Sequence, residues 1–470
     1  MERFTGLIGI VLIVGLALLL SNNRKNINLR VILSGMALQL VLAFFILKTD
    51  LGQEMFGTLG AWIKKLLDLS DMAGSFVFGV LVDGKTMSEV FGPAKSFIFI
   101  FKIIPTIIFV SVLVSMAYHI GLMQRIVSVI ARGVYYLMGV SGSEALSNVA
   151  SAFVGQVEAQ ILIKPYVPTM TRSELLASMS GSMACIAGGV MAVYIGMGVP
   201  AEYLLAASIM AAPASLVISK IVYPETEVSE TKGDVTLEVK KTHANLLDAI
   251  SHGASDGMKV SINVIAMLLG FLALIYLADL LLMKAGNGLV YIGLTPEIMG
   301  GFDFSTLQLK TILGSVFAGF AWAMGVPSQD VYQVGSLMGT KLVVNEFVAY
   351  DNMTSMIRAG ALSQKAIVIA SFALCGFANF SSIAIQIGGI GELAPSRRVD
   401  LSKLGFKALI CGTLASYLSA TVAGILVDGS APYQLGFLTT YWKPIFLGLF
   451  LLYLTYSWVK KFVAQKQQNS

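Results

Sequence analysis

Two short stretches set a carboxylate and an amide into otherwise apolar sequence. Val154-Gly155-Gln156-Val157-Glu158-Ala159 has apolar residues on both sides, and Val344-Asn345-Glu346-Phe347-Val348-Ala349 lies far down the chain in a similar setting. An ionisable group at membrane depth costs a few kcal/mol or more, so it faces a cavity, a partner or a substrate. The residue types suit recognition: a carboxylate accepts hydrogen bonds, and an amide both donates and accepts them. Glu158 and Glu346 also suggest an acid–base pair in an intramembrane enzyme. No nucleophile with an adjacent base, metal cluster or phosphate loop accompanies them, so that reading is set aside.

The composition states what solvent these stretches sit in. Of the 470 residues 56% are hydrophobic and only 13% charged, with a mean hydropathy of +0.78. Soluble domains carry roughly 25% charged residues, so this is a polytopic membrane protein. The net charge of +5 is spread between hydrophobic runs, which argues against a nucleic-acid partner. Cys185, Cys375 and Cys411 all fall in apolar segments and give neither a disulfide framework nor metal-ligand spacing. His119, His243 and His252 are scattered. The N-terminal apolar run is of spanning length with no cleavage site before Arg24, so it is expected to stay as a helix.

Spans and positive loops set the expected path. Thr5–Ser21 and Val31–Leu47 cross, with Arg24, Lys25 and Arg30 between them in the cytoplasm. The mixed stretch 50–95 reads as interfacial helices. Ile103–Met123 crosses inward, and Ile126–Met138 is amphipathic. Ser143–Met170 is too short and too polar at its centre to span twice. Leu175–Tyr194 is membrane-length but interrupted by Gly181, Gly188 and Gly189. Tyr203–Ile221 spans, 224–241 is a charged solvated loop, and Val260–Leu282 crosses outward. Thr306–Met324 is partly amphipathic, Ser328–Leu362 is polar-centred, and Ile367–Ile390 is again broken by glycine and serine. Ala408–Val427 and Ile445–Trp458 complete nine expected crossings, with the N-terminus outside and the C-terminus in the cytoplasm.

The two polar stretches share their neighbourhoods. Met138-Gly139-Val140 precedes Glu158 by 20 positions, and Met324-Gly325-Val326 precedes Glu346 by 22. Cys185-Ile186-Ala187-Gly188 begins 27 positions after Glu158, and Cys375-Gly376-Phe377-Ala378 begins 29 after Glu346. Each half therefore runs amphipathic helix, polar-tipped segment, broken helix. An odd number of crossings separates them, so they are expected to face opposite ways. Inverted repeats with broken helices mark secondary transporters whose site lies at the midplane, because backbone groups freed inside a membrane need an ion, a substrate or water. The polar-tipped segments then read as re-entrant hairpins.

The same residues carry a resemblance. Val154-Gly155-Gln156-Val157-Glu158-Ala159 with Lys164-Pro165-Tyr166, Asn345-Glu346-Phe347-Val348-Ala349-Tyr350, and Gly376-Phe377-Ala378-Asn379-Phe380-Ser381-Ser382 resemble the concentrative nucleoside transporter family, over nearly the whole chain to Val427. The resemblance implies an all-α homotrimer with a fixed scaffold and a mobile transport domain that carries the site across the cell membrane. It implies that Glu346, Asn379 and Ser382 hold the ribose, that Gly155, Gln156, Val157 and Glu158 lie at the base, and that Phe377 and Val190 wall it. It implies a cation site at the carbonyls of Val154 and Ile186 and the polar atoms of Ser151 and Cys185, with no other cofactor. Domain limits follow: scaffold 1–125, first repeat 126–222, cytoplasmic loop 223–250, scaffold span and external loop 251–305, second repeat 306–427, and an added helix and tail 428–470.

Two residues depart from the family pattern. Cys185 stands where Ser or Thr is usual, and a thiol is a poor ligand for sodium. Either the carbonyls suffice, or a proton drives transport with Glu158 as its carrier; sodium is favoured. Val157 replaces a hydroxyl residue, which relaxes selectivity at one edge of the base and tilts preference toward purines. Lys164 has two readings, a partner for Glu158 or an interfacial anchor, and the anchor is preferred. Beside nucleoside:cation symport stands a channel or facilitator for a small polar solute, which would not need a fitted carboxylate at each tip.

Overall fold

The computed structural model describes residues 2–91, 98–231, 244–293, 305 and 307–427, and every regular element among them is a helix. In order these are α1 Glu2–Leu19, α2 Leu29–Lys48, α3 Asp50–Phe78, α4 Gly84–Phe91, α5 Phe99–His119, α6 Leu122–Met138, α7 Gly142–Ser151, α8 Glu158–Ile161 and α9 Arg172–Ala184. They continue as α10 Gly188–Met197, α11 Ala201–Val222, α12 Leu246–Tyr291, α13 Leu309–Ala323, α14 Val331–Val343, α15 Glu346–Arg358, α16 Gln364–Leu374, α17 Phe380–Leu393 and α18 Arg398–Leu426. The expected final span 445–458 lies outside the described residues.

Among the described residues, six helical stretches are long and apolar enough to cross a membrane: Leu29–Lys48, Ile100–His119, Arg172–Met197, Ala201–Val222, Leu272–Tyr291 and Pro395–Leu426. Burial separates them into two kinds. The apolar window of α11 is 89% buried and that of Leu272–Tyr291 only 6%. A helix apolar all round and buried belongs to a core, whereas an apolar helix left uncovered faces lipid or another subunit. The core is α9, α11, α16 and α18 packed together, with α1 and α2 against it, while α5, α3 and α12 form the outer wall. The stretch 50–95 begins with one 29-residue helix, and Val260–Leu282 proves to be the middle of a 46-residue helix, α12. No proline falls inside 246–291, so the charged first turns simply continue the helix.

The breaks fall where the glycines and caps demand. α7 opens on a capping box, Ser141 with Glu144, and α9 on another, Thr171 with Glu174; each cap is worth about 1 kcal/mol. Asn345 caps α15 by accepting from Val348 N at 3.0 Å, and Asn379 caps α17 by accepting from Ser382 N at 3.0 Å. The spans Leu175–Tyr194 and Ile367–Ile390 are each two half-helices, α9 and α10 parted at 185–187, α16 and α17 parted at 375–379.

Candidate functional site

The two breaks meet. Phe377 N donates to Cys185 O at 3.3 Å, joining the second break to the first. Gly376 makes this approach possible. Its φ is +123°, and a Cβ there would stand 2.7 Å from the carbonyl oxygens of Met183 and Ala184. Only glycine combines that backbone angle with that proximity.

Asn379 then does two tasks. Its Oδ1 is occupied by Ser382 N and by Ser381 Oγ at 2.7 Å, which leaves Nδ2 to donate to Glu346 Oε2 at 3.0 Å. Glu346 is the first residue of α15, a position where a carboxylate is favoured by the helix dipole. Its Oε1 accepts from Tyr194 Oη at 3.1 Å. Glu346 is 6% exposed, Asn379 3% and Tyr194 0%, so each donor is worth more than it would be in water. Tyr194 comes from α10, in the other half, and is held by rings of α15: Phe347 edge-on at 5.4 Å and Tyr350 at 4.6 Å between centroids. Each carboxylate oxygen still has a lone pair to offer a hydroxyl.

A second link joins the halves. Gln386 of α17 is fully buried and donates to Gln156 Oε1 at 3.4 Å and to Met179 O at 3.1 Å. Val157 turns its methyls onto Gly389, where a Cβ would come within 2.6 Å of them. Phe377, Val190 and Gln156 are half-buried and Ser382 is buried. Glu158 stands apart from this cluster. It is exposed, and its Oε2 folds back so that a Cβ at Gly155 would lie 2.0 Å from it. Lys164 is exposed as well. Tyr118 of α5 lies within electrostatic reach of Glu158.

At the implied cation position the picture is mixed. Ser151 Oγ meets Ser182 Oγ at 2.9 Å and donates to Ser147 O at 2.8 Å. The Cys185 thiol turns the other way, toward Ser208 O at 3.9 Å, and its carbonyl is taken by Phe377. Val154 and Ile186 are buried, and among the described residues no backbone hydrogen bond ends on either carbonyl. Ser182 also accepts from Gln160 Nε2 at 2.7 Å, and Gln160 reaches Ser147 and Ser178. A hydroxyl seam thus lines the α7–α9 contact.

The sequence reading missed Tyr194, Gln386 and Gln160. Tyr194 lies four residues after Val190, hence on the same helix face, and that spacing was the available signal. Ser143, Ser147 and Ser151 at four-residue intervals signal the seam. Arg397 donates to Pro168 O at 3.0 Å and Met170 O at 2.6 Å, fastening the segment after α8 to the start of α18. Lys220 of α11 is buried in an ion pair with Glu144 at 2.6 Å and donates to Ser173 Oγ at 2.9 Å. Glu225 completes that knot at 3.4 Å from Lys220, so the charged loop starts as a packed segment.

Known proteins resemble this chain over most of its length. Residues 8–81 match the family described as "Na+ dependent nucleoside transporter N-terminus", residues 100–201 that described as "Nucleoside recognition", and residues 203–424 that described as "Na+ dependent nucleoside transporter C-terminus". The chain is 41% identical to the uncharacterized transporter YutK of Bacillus subtilis, covering 91% of this chain and 100% of that one. It is 35% identical to the nucleoside permease NupC of Helicobacter pylori, covering 90% and 98%. With rat sodium/nucleoside cotransporter 1 the identity is 37%, and this chain spans 64% of that longer protein. CNTnw in an inward-facing substrate-bound state superposes with a TM-score of 0.84 at 37% identity, covering 92% of this chain and 100% of that one. A doubly substituted CNTnw in an outward-facing state gives 0.83 at 38% identity, covering 91% and 98%. With its helical membrane fold and its paired, touching helix breaks, the chain belongs to the concentrative, Na+-dependent nucleoside transporter family.

Proposed function

We propose that this protein imports nucleosides by cation symport, with Glu346 as the anchor of the ribose. One observation carries the reading: a buried carboxylate is oriented by donors from both halves, Tyr194 and Asn379. Sugar hydroxyls can use its remaining lone pairs, and Ser382 stands three residues from Asn379 on the same cap. A site built to pair hydroxyls strongly rejects analogues lacking them. In this reading Gln156, with Glu158 brought in from the hairpin tip, faces the base against Phe377 and Val190. The two polar-tipped segments are re-entrant hairpins entering from opposite faces, and they move with the broken helices as an elevator against α1–α5 and α12. Relatives with inward- and outward-facing states support such alternation. The protein works as a homotrimer in the cell membrane, with its N-terminus outside and its C-terminus in the cytoplasm.

Sodium is the coupling ion in this reading, bound by Ser151 and the Val154 and Ile186 carbonyls. Cys185 contributes backbone geometry rather than its thiol. The proton is the second reading, favoured by the thiol's turn away from Ser151, which leaves a thin set of oxygen ligands. Uptake of radiolabelled uridine and adenosine into proteoliposomes under separate sodium and proton gradients decides between them. Concentrative uptake under a sodium gradient alone supports the first and under a proton gradient alone the second. Equal rates without any gradient would replace symport by a facilitator.

A further inference from the structure

Lys341 is buried at 1% exposure near the tip of the second half. It lies in the last turn of α14, and its Nζ donates to Ala373 O at 3.0 Å. Ala373 is in the last turn of α16, where carbonyls lack intrahelical partners and the helix dipole is negative. An ammonium carries three donors, and burying one against a single carbonyl is costly unless the charge has a use. It stands five residues before Glu346 in the chain.

The first half has a different residue in the corresponding place. Counted back from the helix breaks, which the structure brings together, Ser151 at the end of α7 lies 34 positions before Cys185 and Lys341 lies 34 before Cys375. Ser151 Oγ meets Ser182, three residues before the break at Cys185; Lys341 meets Ala373, two before Cys375. Both side chains thus bridge the end of the hairpin's first arm to the end of the first half-helix. In one half the bridge is a neutral hydroxyl, so positive charge there has to come from solution. In the other half it is covalently attached.

We infer that Lys341 is a tethered counterpart of the coupling cation, supplying in the second half the charge that a free ion supplies in the first. The chain then needs one dissolved cation where two equivalent positions exist, and the fixed one holds the α16 break and Glu346 ready for substrate. The inference rests on the symport reading, which the cation dependence of nucleoside binding by wild type tests separately.

The experiment measures uridine and adenosine binding to the detergent-purified full chain. Lys341→Met keeps a chain of similar length without the charge. It is expected to weaken binding about tenfold, the size of one charge-assisted contact, with the Hill coefficient for the coupling cation unchanged. Lys341→Ala opens a space, and millimolar propylammonium is expected to restore its binding saturably while leaving wild type and Lys341→Met unaffected. Wild-type affinity in Lys341→Met would overturn the inference. So would a folded Lys341→Ala that the amine fails to rescue. Loss of folding in Lys341→Met would assign Lys341 to packing and overturn it equally. If Lys341→Ala alone fails to fold, the affinity of Lys341→Met decides.

Discussion

Replacing Glu346 by Gln keeps the side chain's shape and removes its charge, so it tests the ribose assignment with little disturbance to packing. In wild type Oε1 takes the Tyr194 hydroxyl at 3.1 Å and Oε2 the Asn379 amide at 3.0 Å. A glutamine has one acceptor oxygen, so it can satisfy one of these donors and must set its own NH2 against the other. Asn379 cannot flip to relieve the clash, because its Oδ1 is engaged by Ser382 N and Ser381 Oγ. Tyr194 can rotate its proton away, so the expected arrangement keeps Asn379 paired and leaves the amide facing the tyrosine oxygen. The protein should therefore fold. Substrate loses a charged acceptor, and a hydrogen bond to a charged group is worth about 1.5–3 kcal/mol. At 1.4 kcal/mol per tenfold, one lost bond weakens nucleoside binding by about 10- to 150-fold, and two lost bonds abolish measurable uptake. Titration calorimetry with purified protein and uptake in proteoliposomes read this directly, with a size-exclusion profile as the folding control. A monodisperse Glu346→Gln that binds and transports like wild type would refute the ribose assignment.

Other perturbations follow from the same contacts. Gly376→Ala forces a Cβ to 2.7 Å from two carbonyl oxygens at a φ of +123°; about 2 kcal/mol or more of destabilisation is expected, and an unchanged thermal midpoint would contradict the close meeting of the breaks. Lys220→Met leaves Glu144, 2% exposed, without its ion-pair partner. Breaking a buried pair costs about 3–5 kcal/mol, so the thermal midpoint should fall steeply, and Glu144→Gln in the same chain should recover part of the loss. Val157→Thr puts a hydroxyl where, in the proposed reading, one edge of the base lies. The uridine-to-adenosine uptake ratio should rise by about fivefold, near 1 kcal/mol, and an unchanged ratio counts against the purine tilt.

Much of the fold was legible because the membrane leaves few options. Apolar runs of spanning length must be helices, and α2, α5, α11 and α18 lie where such runs predict. The capping boxes Ser141 with Glu144 and Thr171 with Glu174, which open α7 and α9, are equally local signals that the sequence reading did not use. Glu346 was identifiable because a charged group in apolar sequence needs a reason to be there, whereas Asn379 was pointed to only by the family resemblance. The length of α12 was harder, since its first turns are polar, and hydropathy reads polar turns as loop even when nothing interrupts the helix.

What the sequence determined by itself, then, is the solvent, the helices, the matched halves and the residues with chemistry to offer. Tertiary structure alone decided which of them touch. Tyr194 belongs to Glu346 across 152 positions of chain, Gln386 to Gln156 across 230, and the Cys185 thiol turns to Ser208 although the family resemblance offered it to a cation. Periodicity reports which face of a helix is buried, whereas the partner on the other side of that face depends on how helices distant in sequence pack. Glu158 and Glu346 read alike in the sequence, and only packing buries Glu346 between two donors while leaving Glu158 exposed.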